Sequence, residues 1–421
     1  MATSAPRQGL AFVYVTTLFF IWGAVTSVND VLIPTVKEIF TLTDTQSFLT
    51  QFAFFMAYGI VSLPAAAVVS RLGSARSIIV ALAVMVIGCL LMPLATHLRT
   101  YTIVLIALFV IASGITLLQV AANPLSAVLG PPARSHFRLV LSQAFNSLGT
   151  VVGPYLAAHT LLQGGLFGGG EPTEAKIAES LGRIDIAYYF IAAVIVLLAA
   201  FLFSVRHRIT SAAPAIDSGA AGVGAAFGSK WALLGGLAIF LYVGAEVSIG
   251  STMVNFLEQP NILGIAAVEA GQLVSLYWFG AMIGRFLGSA LLTRIPAGRL
   301  LTLVAGIAAL LCLIISQISG QPAAALAISV GLFNSIMFPV IFTLTLERST
   351  APPPATAGLL CMAIVGGAFV PLLFARVADF TASRSTAFFV PMICYLVITL
   401  FALAAGRARI VAEAEPPVTS H

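Results

Sequence analysis

The predicted fold class is an all-α membrane protein of twelve transmembrane helices in two six-helix bundles, and three observations predict it. Composition comes first: 60% of the 421 residues are hydrophobic and 8% are charged, with a mean hydropathy of +1.06, which excludes an ordinary soluble domain. The second is the recurrence of apolar runs of about 20 residues, the length a helix needs to cross a bilayer. The third is an echo between the two halves of the chain.

The first run covers roughly 10–35. Met1 to Gly9 holds one Arg and no cleavable pattern, and the run exceeds the h-region of a signal peptide, about 7 to 15 residues, so this helix is expected to stay. Runs at roughly 46–70, 76–96, 101–128, 137–162 and 185–205 complete an N-terminal bundle over 1–205. Residues 206–230, rich in Ala, Gly and Ser after a basic start, read as a cytoplasmic linker. Runs at roughly 231–257, 268–293, 299–318, 322–346, 355–379 and 386–406 form a C-terminal bundle over 231–406, and 407–421 is a cytoplasmic tail.

The echo is that of parallel repeats. SRLGSAR follows the second run with Arg71 and Arg76, and TRIPAGR follows the eighth with Arg294 and Arg299, 223 positions later in each case. Gly149, Gly153 and Pro154 in the fifth run are matched by Gly366, Gly367 and Pro371 in the eleventh. With both termini cytoplasmic, thirteen Lys and Arg fall inside and five outside (Lys37, Arg99, Lys176, Arg183 and Arg384), in line with the positive-inside rule. Topology then accounts for the net charge of +5, with no call for nucleic acid as a partner.

Polar side chains inside such runs normally face a bundle interior or a wet cavity. Thr116, Gln119 and Asn123 share one helix face, as do Gln143, Asn146 and Ser147. Gln51, Gln119, Asn123, Gln143, Asn146, Glu246 and Asn334 are candidates for binding sugar hydroxyls, with Tyr277 and Trp278 offering rings to the apolar side of a pyranose. Each amide has a blander reading as interhelical glue, and Asn123 stands before Pro124, where it can serve backbone groups freed by a kink.

Two intramembrane carboxylates stand out. Trp22, Thr26 and Asp30 line up at i, i+4 and i+8 in the first run, so Asp30, beside Asn29, is a coupling candidate or a hydrated acid at the outer mouth. Glu246 lies about fifteen residues into the seventh run, near the midplane, with Tyr242 one turn before it. It reads as a sugar hydroxyl acceptor, a coupling site or a structural hydrogen-bonding group. Arg71, Arg76, Arg285 and Arg294 are candidate gating residues; Arg285, near the inner end of the eighth run, can pair with a helix C-terminus or with Glu347.

The stretches LFFIWGAVTSVNDVLIP (18–34), QFAFFMAYGIVSLPA (51–65), LQVAANP (118–124), HFRLVLSQAFNSLGT (136–150), YVGAEVSIGS (242–251), GAMIGRFLGS (280–289), FNSIMFP (333–339) and MAIVGGAFVP (362–371) resemble the fucose-permease family of the major facilitator superfamily, within it most of all the bacterial glucose/galactose cation symporters. The resemblance implies the major facilitator fold, alternating access between two bundles, cation-coupled uptake of a monosaccharide, a monomer, and a place in the bacterial plasma membrane. It also implies a coupling role for Asp30, whose NDxLxP context matches an aspartate that fucose permease uses in proton coupling. The chain departs from fucose permease where a glutamate is replaced by Gln119 and a glutamine by Glu246. That departure admits sodium, slightly favoured over a proton, with Asp30, Gln119 and Asn123 as oxygen donors. SRLGSARS also lacks the acidic residue of the superfamily's loop signature.

Other chemistry finds no support. The four cysteines show no metal spacing and the five histidines no triad, and no phosphate-binding loop occurs. No enzymatic activity and no cofactor beyond the coupling ion, Na+ or H+, are expected. A proton-driven multidrug or metabolite exporter of the same fold is the alternative, disfavoured by the amide-rich stripes.

Overall fold

The computed structural model describes the backbone of residues 5–40, 44–160, 173–213 and 222–411, and side chains within 7–27, 40, 49–156, 173–213 and 222–411. Helices α1 (Ala5–Ile39), α2 (Asp44–Leu72), α3 (Ser74–His97), α4 (Tyr101–Val128), α5 (Ser135–Thr160) and α6 (Glu174–Ala212) are followed by α7 (Lys230–Leu257), α8 (Ala267–Leu291) and α9 (Ala297–Ile315). The last three membrane-length stretches are each interrupted: α10 (Gly320–Asn334) with α11 (Met337–Arg348), α12 (Pro353–Met362) with α13 (Gly366–Thr381), and α14 (Arg384–Ala387) with α15 (Phe389–Arg407). Among the described residues eleven helical stretches are long and apolar enough to cross a membrane. The 26-residue α5 is not one of them; it carries Ser142, Gln143, Asn146, Ser147 and Thr150.

Most helix ends lie within a few residues of the apolar runs. The exception is α6, which begins at Glu174 and continues through Ala212 into the stretch expected to be linker. Polar residues extend it: Thr173 caps the N-terminus by accepting from the Lys176 amide, and Glu179 pairs with Arg183 one turn later at 3.0 Å. Hydropathy registers a helix only where it is apolar, so these turns are invisible to it.

The chain forms two compact units. Unit 1 holds α1 to α4, α5 from Leu141 onward, and α6. Its centre is α3 against α4, where Ala81, Leu82 and Met85 are buried with Ala107, Leu108 and Ile111. Helix α1 lies against α5 at glycines: a Cβ on Gly149 would collide with the Phe20 carbonyl, and one on Gly23 with the Asn146 carbonyl. Only backbones bare of side chains approach so closely, the usual means of tight helix association in a bilayer.

Unit 2 holds Pro132–Val140 and the helices from α7 onward. Here α9 packs on α15, α8 on α10, and α7 on α13 and α15. Ser229, the N-cap of α7, also accepts from Ser349 Oγ and from the Thr350 amide, both at 3.2 Å, which ties the start of α7 to the turn after α11. Phe388 packs tilted against Phe256 and edge-on to Phe374, at ring separations of 5.1 and 5.7 Å. Cys89, Cys312, Cys361 and Cys394 are all buried free thiols.

Candidate functional site

In unit 1 the amides of α4 and α5 meet as a buried layer. Gln119 donates to the Tyr58 hydroxyl of α2 at 2.7 Å, and Gln143 donates to Asn123 Oδ1 at 3.2 Å. Ser142 lies 2.8 Å from the Ser126 hydroxyl and 3.4 Å from that of Thr16. Asn146 turns the other way and donates to the Phe19 carbonyl of α1 at 3.0 Å. The expected shared stripe of Gln143 and Asn146 therefore divides, one facing α4 and the other α1. Thr116 returns its hydroxyl to the Ala112 carbonyl of its own helix, and Gln51 is half-buried on α2.

Asn123 is wholly buried, and its Nδ2 has no hydrogen-bond partner. It does not serve the backbone freed by Pro124; its oxygen accepts from Gln143, and its amide donor is left over. The backbone at Asn29 and Asp30 is helical, while their side chains lie outside the described residues. Among the described residues no three His, Cys, Asp or Glu side chains gather as metal ligands.

In unit 2 the polar side chains collect around the break between α10 and α11. Ser335 and Ile336 leave the helix there. Pro339 has no amide to return to the carbonyl four residues back, that of Ser335. Arg285 of α8 supplies the missing donor, its Nε lying 3.1 Å from the Ser335 oxygen. Of its two expected partners, Arg285 thus takes the helix C-terminus, where a cation is favoured. Glu347 is engaged elsewhere in the unit by Ser135 at 2.9 Å, His136 at 3.2 Å and Arg348 at 3.1 Å.

Asn334, the last residue of α10, donates to the Tyr277 hydroxyl at 2.7 Å and to that of Tyr395 at 3.4 Å. Tyr277 donates in turn to the Glu246 backbone carbonyl at 3.4 Å. Close approach here needs Gly331, where a Cβ would strike the Tyr277 carbonyl. Glu246 is half-buried, deep in α7. Arg285 and the wholly buried Tyr242 are its electrostatic neighbours. Asn334 Oδ1 is likewise buried without a partner. Trp278 is 45% exposed, edge-on to Tyr277 and packed on Gly250 of α7.

Arg71, Arg76 and Arg294 are exposed at the ends of their helices. Tyr58 and Tyr395 are the site residues that sequence reasoning missed. Tyr58 follows Gln51 by seven and so shares its face, a signal that could have found it. For Tyr395 the only cue is a lone hydroxyl in an apolar helix.

The Major Facilitator Superfamily matches residues 14–360. The chain is similar to a glucose/galactose transporter of Brucella abortus, 41% identical over 408 residues and 96% of each chain. It is also similar to the L-fucose-proton symporter of Escherichia coli, 29% identical over 409 residues, which are 93% of this chain and 92% of that one. A crystal structure of the E. coli fucose:proton symporter superposes with a TM-score of 0.84 at 26% identity, covering 95% of this chain and 99% of that one.

Proposed function

Because this multi-pass membrane chain belongs to the Major Facilitator Superfamily, we propose that it is a secondary active transporter importing a monosaccharide of the glucose, galactose or fucose class by cation symport with alternating access. Similarity to proteins named for those sugars supports the substrate class. One observation carries the reading beyond similarity. Among the described residues the buried side-chain atoms without a partner include an amide donor on Asn123 in unit 1 and amide acceptors on Asn334 and Gln259 in unit 2. A buried unpaired polar atom is costly, and a sugar hydroxyl, which both donates and accepts, can relieve either kind. An exporter of apolar drugs has no use for them.

The ion gradient drives accumulation only if ion and sugar together favour the change of access. Glu246, half-buried beside Arg285 and Tyr242, is a carboxylate suited to taking up and releasing a proton, and Asp30 is its sequence-based counterpart in unit 1. The naming of the E. coli relative as a proton symporter weighs toward the proton over sodium. The chain acts as a monomer in the plasma membrane, with both termini cytoplasmic, and Arg71, Arg76, Arg285 and Arg294 serve gating.

Uptake of labelled glucose, galactose and fucose into proteoliposomes tests the reading, with an inward proton gradient and an inward sodium gradient imposed separately. Accumulation of at least one sugar with the proton gradient alone is expected. Accumulation with sodium alone would reassign the ion, and no accumulation of any of the three would overturn the substrate class.

A further inference from the structure

In unit 1 the N-terminal turns of α1 and the C-terminal turns of α6 leave a cleft of about 540 Å³, lined by Arg7, Leu10, His207, Arg208 and Ser211. Each helix contributes one face: Arg7 and Leu10 are three apart, as are Arg208 and Ser211, while His207 and Ser211 are four apart. Arg208 Nη1 reaches the Tyr14 hydroxyl at 3.4 Å, which holds its guanidinium toward α1. The neighbouring Arg206 instead folds over the Phe203 ring, 3.7 Å from its centroid, and stays out of the cleft. Among the described residues no carboxylate lines it.

The position of the cleft decides what it can hold. Arg7 opens the membrane-length stretch Arg7–Ser27, and His207 to Ser211 follow directly on the apolar run of α6 that ends near 205, which puts the cleft at headgroup depth. Toward the bilayer centre the same two helices expose an apolar surface: Leu10, Val13, Leu197, Phe201 and Phe203 are each 41% exposed or more. A phosphate pairs well with guanidinium groups, and basic pockets between transmembrane helices take anionic headgroups. We propose that this cleft is a binding site for the phosphate of an anionic phospholipid, with the acyl chains lying along the exposed apolar surface of α1 and α6. The acyl surface is what favours a lipid over free phosphate.

Native mass spectrometry of the detergent-purified full chain tests this with phosphatidylglycerol, phosphatidylcholine and inorganic phosphate as probes. Wild-type protein is expected to retain one phosphatidylglycerol in preference to phosphatidylcholine and to ignore inorganic phosphate at equal concentration. Arg7→Gln with Arg208→Gln is expected to weaken that binding roughly thirtyfold. Arg99→Gln with Arg183→Gln, which removes two arginines from the opposite helix ends of the same unit, is expected to leave it intact. Phosphatidylglycerol bound equally by the first double variant, lost equally by the second, or matched by phosphatidylcholine or inorganic phosphate would overturn the proposal. Size-exclusion profiles like that of wild type establish that both variants are folded.

Discussion

The two units solve the same physical problem, polar side chains deep in an apolar bundle, in different ways. Unit 1 keeps its helices whole and satisfies its amides with one another and with hydroxyls: Gln119 on Tyr58, Gln143 on Asn123, Ser142 between Ser126 and Thr16. Unit 2 breaks a helix and sets polar side chains on backbone carbonyls, Arg285 on that of Ser335 at the break and Tyr277 on that of Glu246 in α7. The difference is that unit 1 is a hydrogen-bonding face on unbroken helices, while unit 2 sets a carboxylate and a guanidinium beside a discontinuous helix. Recognition should therefore depend more on unit 1 and coupling more on unit 2.

The largest effect that can break this division is expected at Glu246. Glu246→Gln should reduce gradient-driven sugar accumulation about a hundredfold, the scale on which losing a proton-transfer group acts, while counterflow exchange persists in proteoliposomes. If instead accumulation survives in Glu246→Gln and fails in Asp30→Asn, coupling belongs to unit 1. Next comes Arg285→Gln, which leaves the carbonyl of the buried Ser335 unpaired. A loss of about 1–3 kcal/mol is expected, read as a lower thermal midpoint in detergent, with Arg285→Lys recovering part of it. An unchanged midpoint would mean that the break does not need its donor.

Smaller effects sharpen the recognition side. Gln143→Ala, which strips Asn123 of its partner, should weaken sugar binding roughly fivefold to tenfold, the equivalent of about one net hydrogen bond. Asn146→Ala should cost less, because its amide is committed to the Phe19 carbonyl. Wild-type affinity in both by tryptophan fluorescence titration would make the amides of unit 1 purely structural. Trp278→Ala, at an exposed position, should change affinity less than about twofold.

This contrast also explains what the sequence revealed. The amides of unit 1 were legible because unbroken helices preserve the 3.6-residue period, so Gln119 and Asn123 could be placed on one face from spacing alone. Their partners were not legible: that Gln143 reaches Asn123 while Asn146 turns to Phe19 depends on where α1 and α4 pack, and the close approach of α1 is set by Gly23 and Gly149. In unit 2 hydropathy ran through 322–346 without interruption, because Ser335 and Ile336 are not polar enough to disturb it. Pro339 carried the missing signal: a proline has no amide to donate to the carbonyl four residues back, and the half-buried arginine of α8 is the replacement. Helix lengths were read well except for α6, where polar turns outlast the membrane.

The buried thiols have a practical corollary. Cys361 has no exposed surface and stands at the end of α12, immediately before the interruption that leads into α13. With all four native thiols enclosed, a water-soluble maleimide should find nothing to alkylate while the helices are closed. The wild-type chain thus carries its own silent reporter: labelling at Cys361 that rises on adding sugar would time the opening of that helix without any engineered probe.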